Sequence, residues 1–66
     1  MEIKINGKSR EYTGGAALGD LLRSLGVNPG SVAVERNTRI LARSEIEIEP
    51  VEPGDSFEII RLVGGG

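Results

Sequence analysis

The 66-residue sequence contains no cysteine and no histidine. Disulfide bonds are therefore excluded, and the usual ligands of structural zinc are missing. The commonest catalytic nucleophile and the commonest general base are missing too, and no motif places a lysine to activate one of the serines. A chain this small also has little room for a concave substrate pocket. We therefore expect a protein that binds or carries something and has no catalytic activity of its own.

Long apolar runs and an excess of positive charge are also absent. The sequence has no stretch near the roughly 20 consecutive apolar residues that a membrane-spanning helix needs. Its first residues enter an alternating strand pattern at once, so we expect no secretory signal. The formal net charge is −2, whereas nucleic-acid binding needs a concentrated basic surface. These absences predict a cytoplasmic protein that binds neither nucleic acid nor a membrane.

The composition suits one small globular domain. Hydrophobic residues make up 38% of the chain and charged residues 27%, which separates it from disordered sequences. There is no internal repeat, and no linker precedes the last four residues. The expected organisation is a single domain over residues 1–62, followed by a flexible glycine tail over residues 63–66.

The first half of the chain predicts a hairpin followed by a helix. The stretch EIKIN alternates and leads into Asn6 and Gly7, the strongest short signal for a two-residue hairpin turn. KSREYT then returns as a second strand. The helix is expected to begin near Ala16 and to end before Gly26, and Gly19 is expected to let it approach the sheet closely. Its apolar face carries four leucines at helical spacing, Leu18, Leu21, Leu22 and Leu25.

The middle of the chain predicts a further strand and a short apolar piece. SVAVER alternates, so that Ala33 and Glu35 share the face opposite its two valines. A turn follows at Asn37. The short apolar piece consists of Ile40 and Leu41.

The stretch EIEIEP also alternates. It predicts a strand or a loop with Ile46 and Ile48 on one face and Glu45, Glu47 and Glu49 on the other. Three carboxylates in a row are one signature of a hard-cation site, but no glycine or asparagine is present to bend the chain around an ion. A solvated face is the preferred interpretation.

The last strand-like segment, FEIIRL, alternates as well. If Phe57 and Ile59 enter the core, then Glu58, Ile60 and Leu62 lie on the opposite face. Two exposed apolar side chains there predict a partner-binding patch. A loop that covers them is the alternative.

The order of these elements predicts an α+β class, because alternating segments enclose one amphipathic helix. A helix that follows an N-terminal hairpin and packs across a mixed sheet of four to five strands describes the β-grasp arrangement. In that arrangement the first and last strands pair in parallel.

The chain ends in RLVGGG. A frayed chain end is one interpretation of the glycines, and a remnant of cloning is another. The third is that the terminal carboxylate is the working group and that the glycines deliver it. Glycine suits that purpose because it has no side chain to obstruct a narrow channel.

Four stretches together resemble the ThiS sulfur-carrier proteins of thiamine biosynthesis, which are ubiquitin-like β-grasp domains. They are NGK after the first strand, LLRSLGV in the helix, VAVERN in the third strand and GDSFEIIRLVGGG at the end. The resemblance covers essentially the whole chain. VGGG fits ThiS better than it fits the small subunit of molybdopterin synthase, which belongs to the same superfamily.

The resemblance implies a carrier that is a co-substrate of partner enzymes. A ThiF-type enzyme would use ATP to adenylate the carboxylate of Gly66, and a sulfur-donating desulfurase system would supply the sulfur for a thiocarboxylate. A ThiG-type thiazole synthase would take that sulfur into the thiazole ring. The carrier itself would bind no cofactor and no metal, since ATP and the sulfur donor act through the partner enzyme.

The resemblance also implies which residues form the site. The tail that threads partner active sites would consist of Val63, Gly64 and Gly65. The partner-binding patch would consist of Glu58, Ile60, Arg61 and Leu62. Arg36 and Arg39 are further candidates, for which a solvated turn is the preferred interpretation.

Three alternatives share the same fold. The first is a sulfur carrier for molybdopterin or another pathway, with the same tail chemistry. The second is a ubiquitin-like modifier that is joined through Gly66 to lysines of other proteins. The third is a β-grasp interaction module whose tail is inert.

Overall fold

The structure, a computed structural model, describes residues 1–62. Predictions about residues 63–66 lie outside the described residues. Within residues 1–62 the elements are β1 (Glu2–Ile5), β2 (Lys8–Glu11), α1 (Leu18–Ser24), β3 (Val32–Arg36), β4 (Arg39–Ile40), α2 (Arg43–Ile46) and β5 (Ser56–Arg61). A single turn of 3₁₀ helix, Pro29–Ser31, precedes β3.

The strands form one mixed sheet in the order β2-β1-β5-β3-β4. The first and last strands, β1 and β5, pair in parallel, and the other neighbours pair antiparallel. The predicted α+β class and the parallel pairing of the first and last strands are therefore confirmed. No helix within residues 1–62 has the length and apolar character to cross a membrane.

The predicted hairpin turn is confirmed. Asn6 and Gly7 both have positive φ, at 50° and 82°, and Ile5 pairs directly with Lys8 across the two-residue loop. Positive φ at both central positions gives a turn whose twist matches that of the flanking strands. Asparagine and glycine are the residues that tolerate this conformation best.

Helix α1 packs its leucines against one face of the sheet. Leu18, Leu21 and Leu22 are fully buried, and Leu25 packs partly buried at the margin of the core. The strands contribute Ile3, Val32, Val34 and Phe57 to this core. Tyr12, directly after β2, joins them, and the connection before β5 contributes Leu41, Ile46 and Val51. The four leucines therefore share one face, as their spacing predicted.

The helix begins later than predicted, at Leu18 rather than near Ala16. Ala17 is extended and forms an isolated bridge with Pro50. The amide of Val51 donates to the carbonyl of Ala16 at 2.7 Å. These residues pair with a distant segment instead of entering the helix, and helical periodicity cannot report such pairing.

Gly19 permits a close approach, but not to the sheet. A Cβ at this position would lie 2.8 Å from the carbonyl oxygen of Glu47 and would overlap the Glu47 carboxylate. The amide of Gly19 donates to that same carbonyl at 3.1 Å. The prediction named the wrong neighbour, because the segment after α2 packs against the first turn of α1.

The prediction for EIEIEP is wrong. Arg43–Ile46 forms the short helix α2, and a turn follows it. The Glu45 carboxylate accepts a hydrogen bond from the Ala42 amide at 2.7 Å and so satisfies a donor at the start of this helical turn. Ile46 is 3% exposed and Ile48 73% exposed. The two isoleucines do not share a face, because successive residues are not on alternate sides of a helical turn.

The three glutamates do not form a solvated row either. Glu49 is buried, and its carboxylate accepts hydrogen bonds from Arg36 at 3.2 Å and from Arg39 at 2.6 Å. Arg39 also binds Glu45 at 3.3 Å. A solvated turn is therefore the wrong interpretation for Arg36, which is partly buried, whereas Arg39 is exposed as predicted but also binds Glu49. Together the two arginines hold the β3–β4 hairpin against the segment that leads into β5.

Asp55 is the second buried carboxylate that Arg36 binds. We call Arg36, Arg39, Glu49 and Asp55 the charge cluster. Asp55 accepts hydrogen bonds from Arg36 Nε at 3.0 Å, from Asn37 Nδ2 at 2.9 Å and from the Glu52 amide at 2.8 Å. Burial acts to raise the pKa of Asp55, but these hydrogen bonds outweigh burial and hold that pKa below its usual value.

Asp55 therefore makes the stability of the fold depend on pH. Its folded pKa lies below the value of 3.8 for the free side chain. A lowered pKa contributes stability that is present above the unfolded value and is lost as the pH falls through the folded one.

Asp55→Asn should lower the free energy of unfolding by about 1–3 kcal/mol at neutral pH. The new amide nitrogen would face one of three donors and leave it unpaired. The difference in unfolding free energy between the variant and the unsubstituted chain should shrink as the pH falls through the folded pKa of Asp55. At that pH the Asp55 carboxylate of the unsubstituted chain becomes protonated and loses its charge. Urea unfolding at neutral and acidic pH measures both effects.

Asp20→Asn is the matched control. Asp20 is exposed and meets Arg23 only at 3.4 Å, so its substitution should leave stability nearly unchanged. An equal loss in the two variants would contradict the role assigned to the buried cluster.

Candidate functional site

The face of the sheet opposite α1 is open. On β5, Phe57 is fully buried against the helix and Ile59 packs partly buried beside it, while Glu58 and Ile60 are exposed. The predicted assignment of the two faces of β5 is therefore confirmed. No described segment covers Ile60, which is 59% exposed.

Three neighbouring strands place apolar side chains side by side on this open face. Ala33 of β3 pairs directly with Ile60 of β5, and Ile40 of β4 pairs with the next outward-facing residue of β3, Glu35. Ile40 is 74% exposed. We call Ala33, Ile40 and Ile60 the open-face patch. A shallow hollow of about 100 Å³ lies among them, because the small alanine stands between two isoleucines.

Two carboxylates border the open-face patch. Glu35 lies between Ile40 and Glu58 in the strand pairing, so both glutamates project from the same face as the isoleucines. Like charges directly opposite each other on a sheet are unfavourable. A partner with cationic side chains would relieve that repulsion, and a partner with an apolar side chain would fill the hollow.

The end of β5 forms a second feature, a groove of about 300 Å³ beside the end of α1. We call it the end groove. The Leu62 amide donates to the Ser31 carbonyl at 2.9 Å, which keeps the chain paired one residue past the strand. The lining residues are Gly26, Val27, Asn28, Ser31, Val32, Arg61 and Leu62.

The structure divides the predicted patch between these two features. Glu58 and Ile60 lie on the open face, whereas Arg61 and Leu62 line the end groove. All four side chains are exposed, and Leu62 is 46% exposed. Val63, Gly64, Gly65 and Gly66, which were predicted to thread and react, lie outside the described residues.

Sequence reasoning missed Ala33 and Ile40 as members of the patch. The alternation of SVAVER did place Ala33 on the face away from the core. Ile40 carried no such signal, because its strand has only two residues. Its position beside Ile60 follows from the order of strands in the sheet.

Among residues 1–62 no three His, Cys, Asp or Glu side chains are grouped so that they could hold a metal ion. The carboxylates of Glu45 and Glu49 bind arginines instead. The exposed apolar and acidic residues of the open face suit association with a protein.

The fold defines the class of protein. A mixed five-stranded sheet with a parallel β1–β5 pair and one main helix across it is the ubiquitin-like β-grasp fold. A crystal structure of the thiamine biosynthesis protein ThiS from Geobacter metallireducens superimposes with a TM-score of 0.80 at 32% identity, over 100% of both chains. A solution structure of a thiamine biosynthesis protein from the same organism gives 0.78 at 32% identity and covers 88% of that chain.

The family follows from the sequence as well as from the fold. The model of the ThiS family matches residues 3–66, which include the three terminal glycines. The chain therefore belongs to the ThiS family.

Two longer proteins are also similar. The thiazole synthases of Paramagnetospirillum magneticum and Magnetococcus marinus are 39% and 35% identical to this chain over 66 residues. The match covers all of this chain and 20% of each synthase. The chain thus spans about a fifth of the length of the curated relatives that it matches.

Ile60→Asp should change the free energy of unfolding by less than about 1 kcal/mol, because the side chain is exposed and makes no core contact. Ile3→Asp places the same charge at a position that is 1% exposed and should cost several kcal/mol or prevent folding. Urea unfolding and a proton–nitrogen NMR spectrum compare the two. Unfolding of the Ile60 variant would show that the faces of β5 had been assigned backwards.

Proposed function

We propose that this protein is a sulfur carrier of thiamine biosynthesis, a co-substrate of partner enzymes rather than an enzyme. The observation that carries the proposal is the match of the ThiS family model through the last glycine. The similarity to thiazole synthases favours thiazole formation over molybdopterin as the recipient pathway. We further propose that the protein acts in the cytoplasm.

The proposed reaction begins with the carboxylate of Gly66. One of its oxygens attacks the α-phosphorus of ATP in a ThiF-type enzyme, and pyrophosphate leaves. A sulfur nucleophile from a desulfurase system then attacks the acyl carbon, and AMP leaves. The bond between that sulfur and its donor is then cleaved, which releases the thiocarboxylate. When the donor is a persulfide, a thiol reductant supplies the two electrons that this cleavage needs.

Each step has a physical reason. A carboxylate is a poor electrophile, and adenylation supplies a good leaving group. A thiocarboxylate sulfur is a soft nucleophile, so it can transfer sulfur to a ThiG-type thiazole synthase. The carrier binds no cofactor in this scheme, since ATP and the sulfur donor are held by the partner enzymes.

The tail suits delivery into a partner. Residues 63–66 reach about 13 Å when extended, at about 3.3 Å per residue, and glycines pass through a narrow channel without steric obstruction. Ordering a glycine loses more conformational entropy than ordering any other residue. Contacts between the folded domain and the partner must offset that loss.

The open-face patch supplies such contacts. Burial of Ile40 and Ile60 against a partner removes exposed apolar surface from water. Lysine or arginine side chains around that contact would pair with Glu35 and Glu58 and favour the correct partners. Arg61 and Leu62 lie at the root of the tail, where they would contact the entrance of the partner's active site.

Intact-protein mass spectrometry tests the chemistry. After incubation with a ThiF-type enzyme, ATP and a sulfur donor, we expect a mass increase equal to the replacement of one oxygen by sulfur, located at Gly66. A chain without Gly65 and Gly66 should keep its unfolding free energy and gain no mass.

Other outcomes would favour the alternatives. Higher-mass isopeptide conjugates would identify a ubiquitin-like modifier. An unchanged mass, in an experiment where a control carrier does gain sulfur, would contradict the carrier function and favour an interaction module.

Ile60→Asp should weaken association with the ThiF-type enzyme roughly tenfold or more, since a charge in the centre of an apolar contact removes an anchor and leaves the charge without a partner. Ile48→Asp is the matched control, because Ile48 is 73% exposed but lies outside the patch. Calorimetric titration measures both affinities. Equal effects of the two substitutions would mean that the open face is not the interface.

A further inference from the structure

The asparagine of the first hairpin turn binds the central strand with its side chain. Asn6 Oδ1 accepts a hydrogen bond from the amide of Ile59 at 2.7 Å, and Asn6 Nδ2 donates to the carbonyl of the same residue at 3.3 Å. The backbone amide of Asn6 donates to the carbonyl of Phe57 at 2.8 Å. Because the Ile59 amide can only donate, the orientation of the Asn6 side chain is determined.

These bonds extend the pairing of β1 with β5 past the end of β1. The direct pairing of the two strands ends at Ile5 and Phe57. The left-handed turn at Asn6 then carries the backbone of β1 away from β5. A regular parallel ladder would next join the Ile59 amide to the carbonyl of Asn6. The Asn6 side-chain oxygen takes the place of that carbonyl.

A second turn asparagine does the same at the other end of β5. Asn37 also has positive φ, at 49°. Its Oδ1 accepts a hydrogen bond from the Ser56 amide at 2.9 Å, and its backbone amide donates to the Ser56 carbonyl at 2.8 Å. The two asparagines thus hold β5 from opposite sides, Asn37 at its first residue and Asn6 two residues before its last.

Only Asn6 acts close to the tail. On the β3 side, β5 is held through Arg61 and then by the Leu62 amide. The twist between paired strands is larger in a two-stranded ribbon than in a wider sheet. The pair of bonds from Asn6 gives β5 a second neighbour at Ile59, two residues before its last residue, Arg61, and so restrains the end of the strand from both sides.

We propose that Asn6 is a positioning residue for the carrier reaction, and that it acts by clasping Ile59 and so fixing the end of β5, the last strand before the glycines. This inference rests on the proposed function. It assigns to Asn6 a part that the hairpin turn alone does not need, because glycine at this position would make the same turn.

The test compares Asn6→Gly with Asn37→Gly. Each substitution keeps a left-handed turn and removes a side chain that binds β5, so both should lower the melting temperature. With a ThiF-type enzyme and ATP, at a temperature where both variants are folded, pyrophosphate release should slow for Asn6→Gly alone. We expect kcat to fall roughly tenfold or more, as for a misplaced reacting group, with KM within about twofold because the open-face patch is unchanged.

Hydrogen exchange measured by NMR tests the clasp without any enzyme. The Ile59 amide should exchange faster in Asn6→Gly and not in Asn37→Gly, where the Ser56 amide should exchange faster instead. Unchanged exchange of Ile59 in Asn6→Gly would overturn the clasp, whatever the carrier activity. Faster exchange with an unchanged kcat, or an equal fall of kcat in both variants, would overturn the positioning role.

Failure of the proposed function would give a different result. With the unsubstituted chain, the ThiF-type enzyme would then release no pyrophosphate, although a control carrier would make it do so. The positioning role would fall with it, while the exchange of Ile59 would still report on the clasp.

Discussion

Strand β5 pairs with a neighbour on each side, and the rest of the molecule depends on that double pairing. β1 lies parallel to it and β3 antiparallel, so the first and last thirds of the chain meet at the centre of the sheet. Its Phe57 is fully buried beneath α1, while its Ile60 lies on the open face. The same strand therefore anchors the core, presents the candidate interface and leads into the glycine tail.

A domain of this size forms a small apolar core, and polar interactions hold its connecting segments in place. The charge cluster joins the β3–β4 hairpin to the segment before β5 through Arg36, Arg39, Glu49 and Asp55. Asn6 and Asn37 bind β5 through their side chains. A buried carboxylate is tolerated only where donors surround it, and both buried carboxylates meet that condition. The polar contacts thus fix the position of the strand from which the tail departs.

The proposed chemistry needs a rigid body and a reactive end with separate tasks. The open face can bind a partner without disturbing the core, because its side chains point away from α1. In the proposed reaction the terminal carboxylate would enter a partner's active site, and the glycines before it would add no bulk. A carrier of this kind needs no nucleophile or metal of its own, since the partner enzymes would supply the activation and the sulfur.

Local sequence patterns predicted most of the secondary structure of this protein. The alternation of β1, β3 and β5, the leucine spacing of α1 and the Asn6-Gly7 turn all report on one element at a time, and the structure confirms them. They also placed Glu58, Ile60 and Leu62 away from the core. The tertiary structure alone decided that EIEIE begins within a helical turn, that Glu49 is buried between arginines, that Ile40 lies beside Ile60 and that Asn6 reaches Ile59. Periodicity records the direction of a side chain relative to its own element, whereas these contacts join residues far apart in the chain and arise only from the order in which the strands pair.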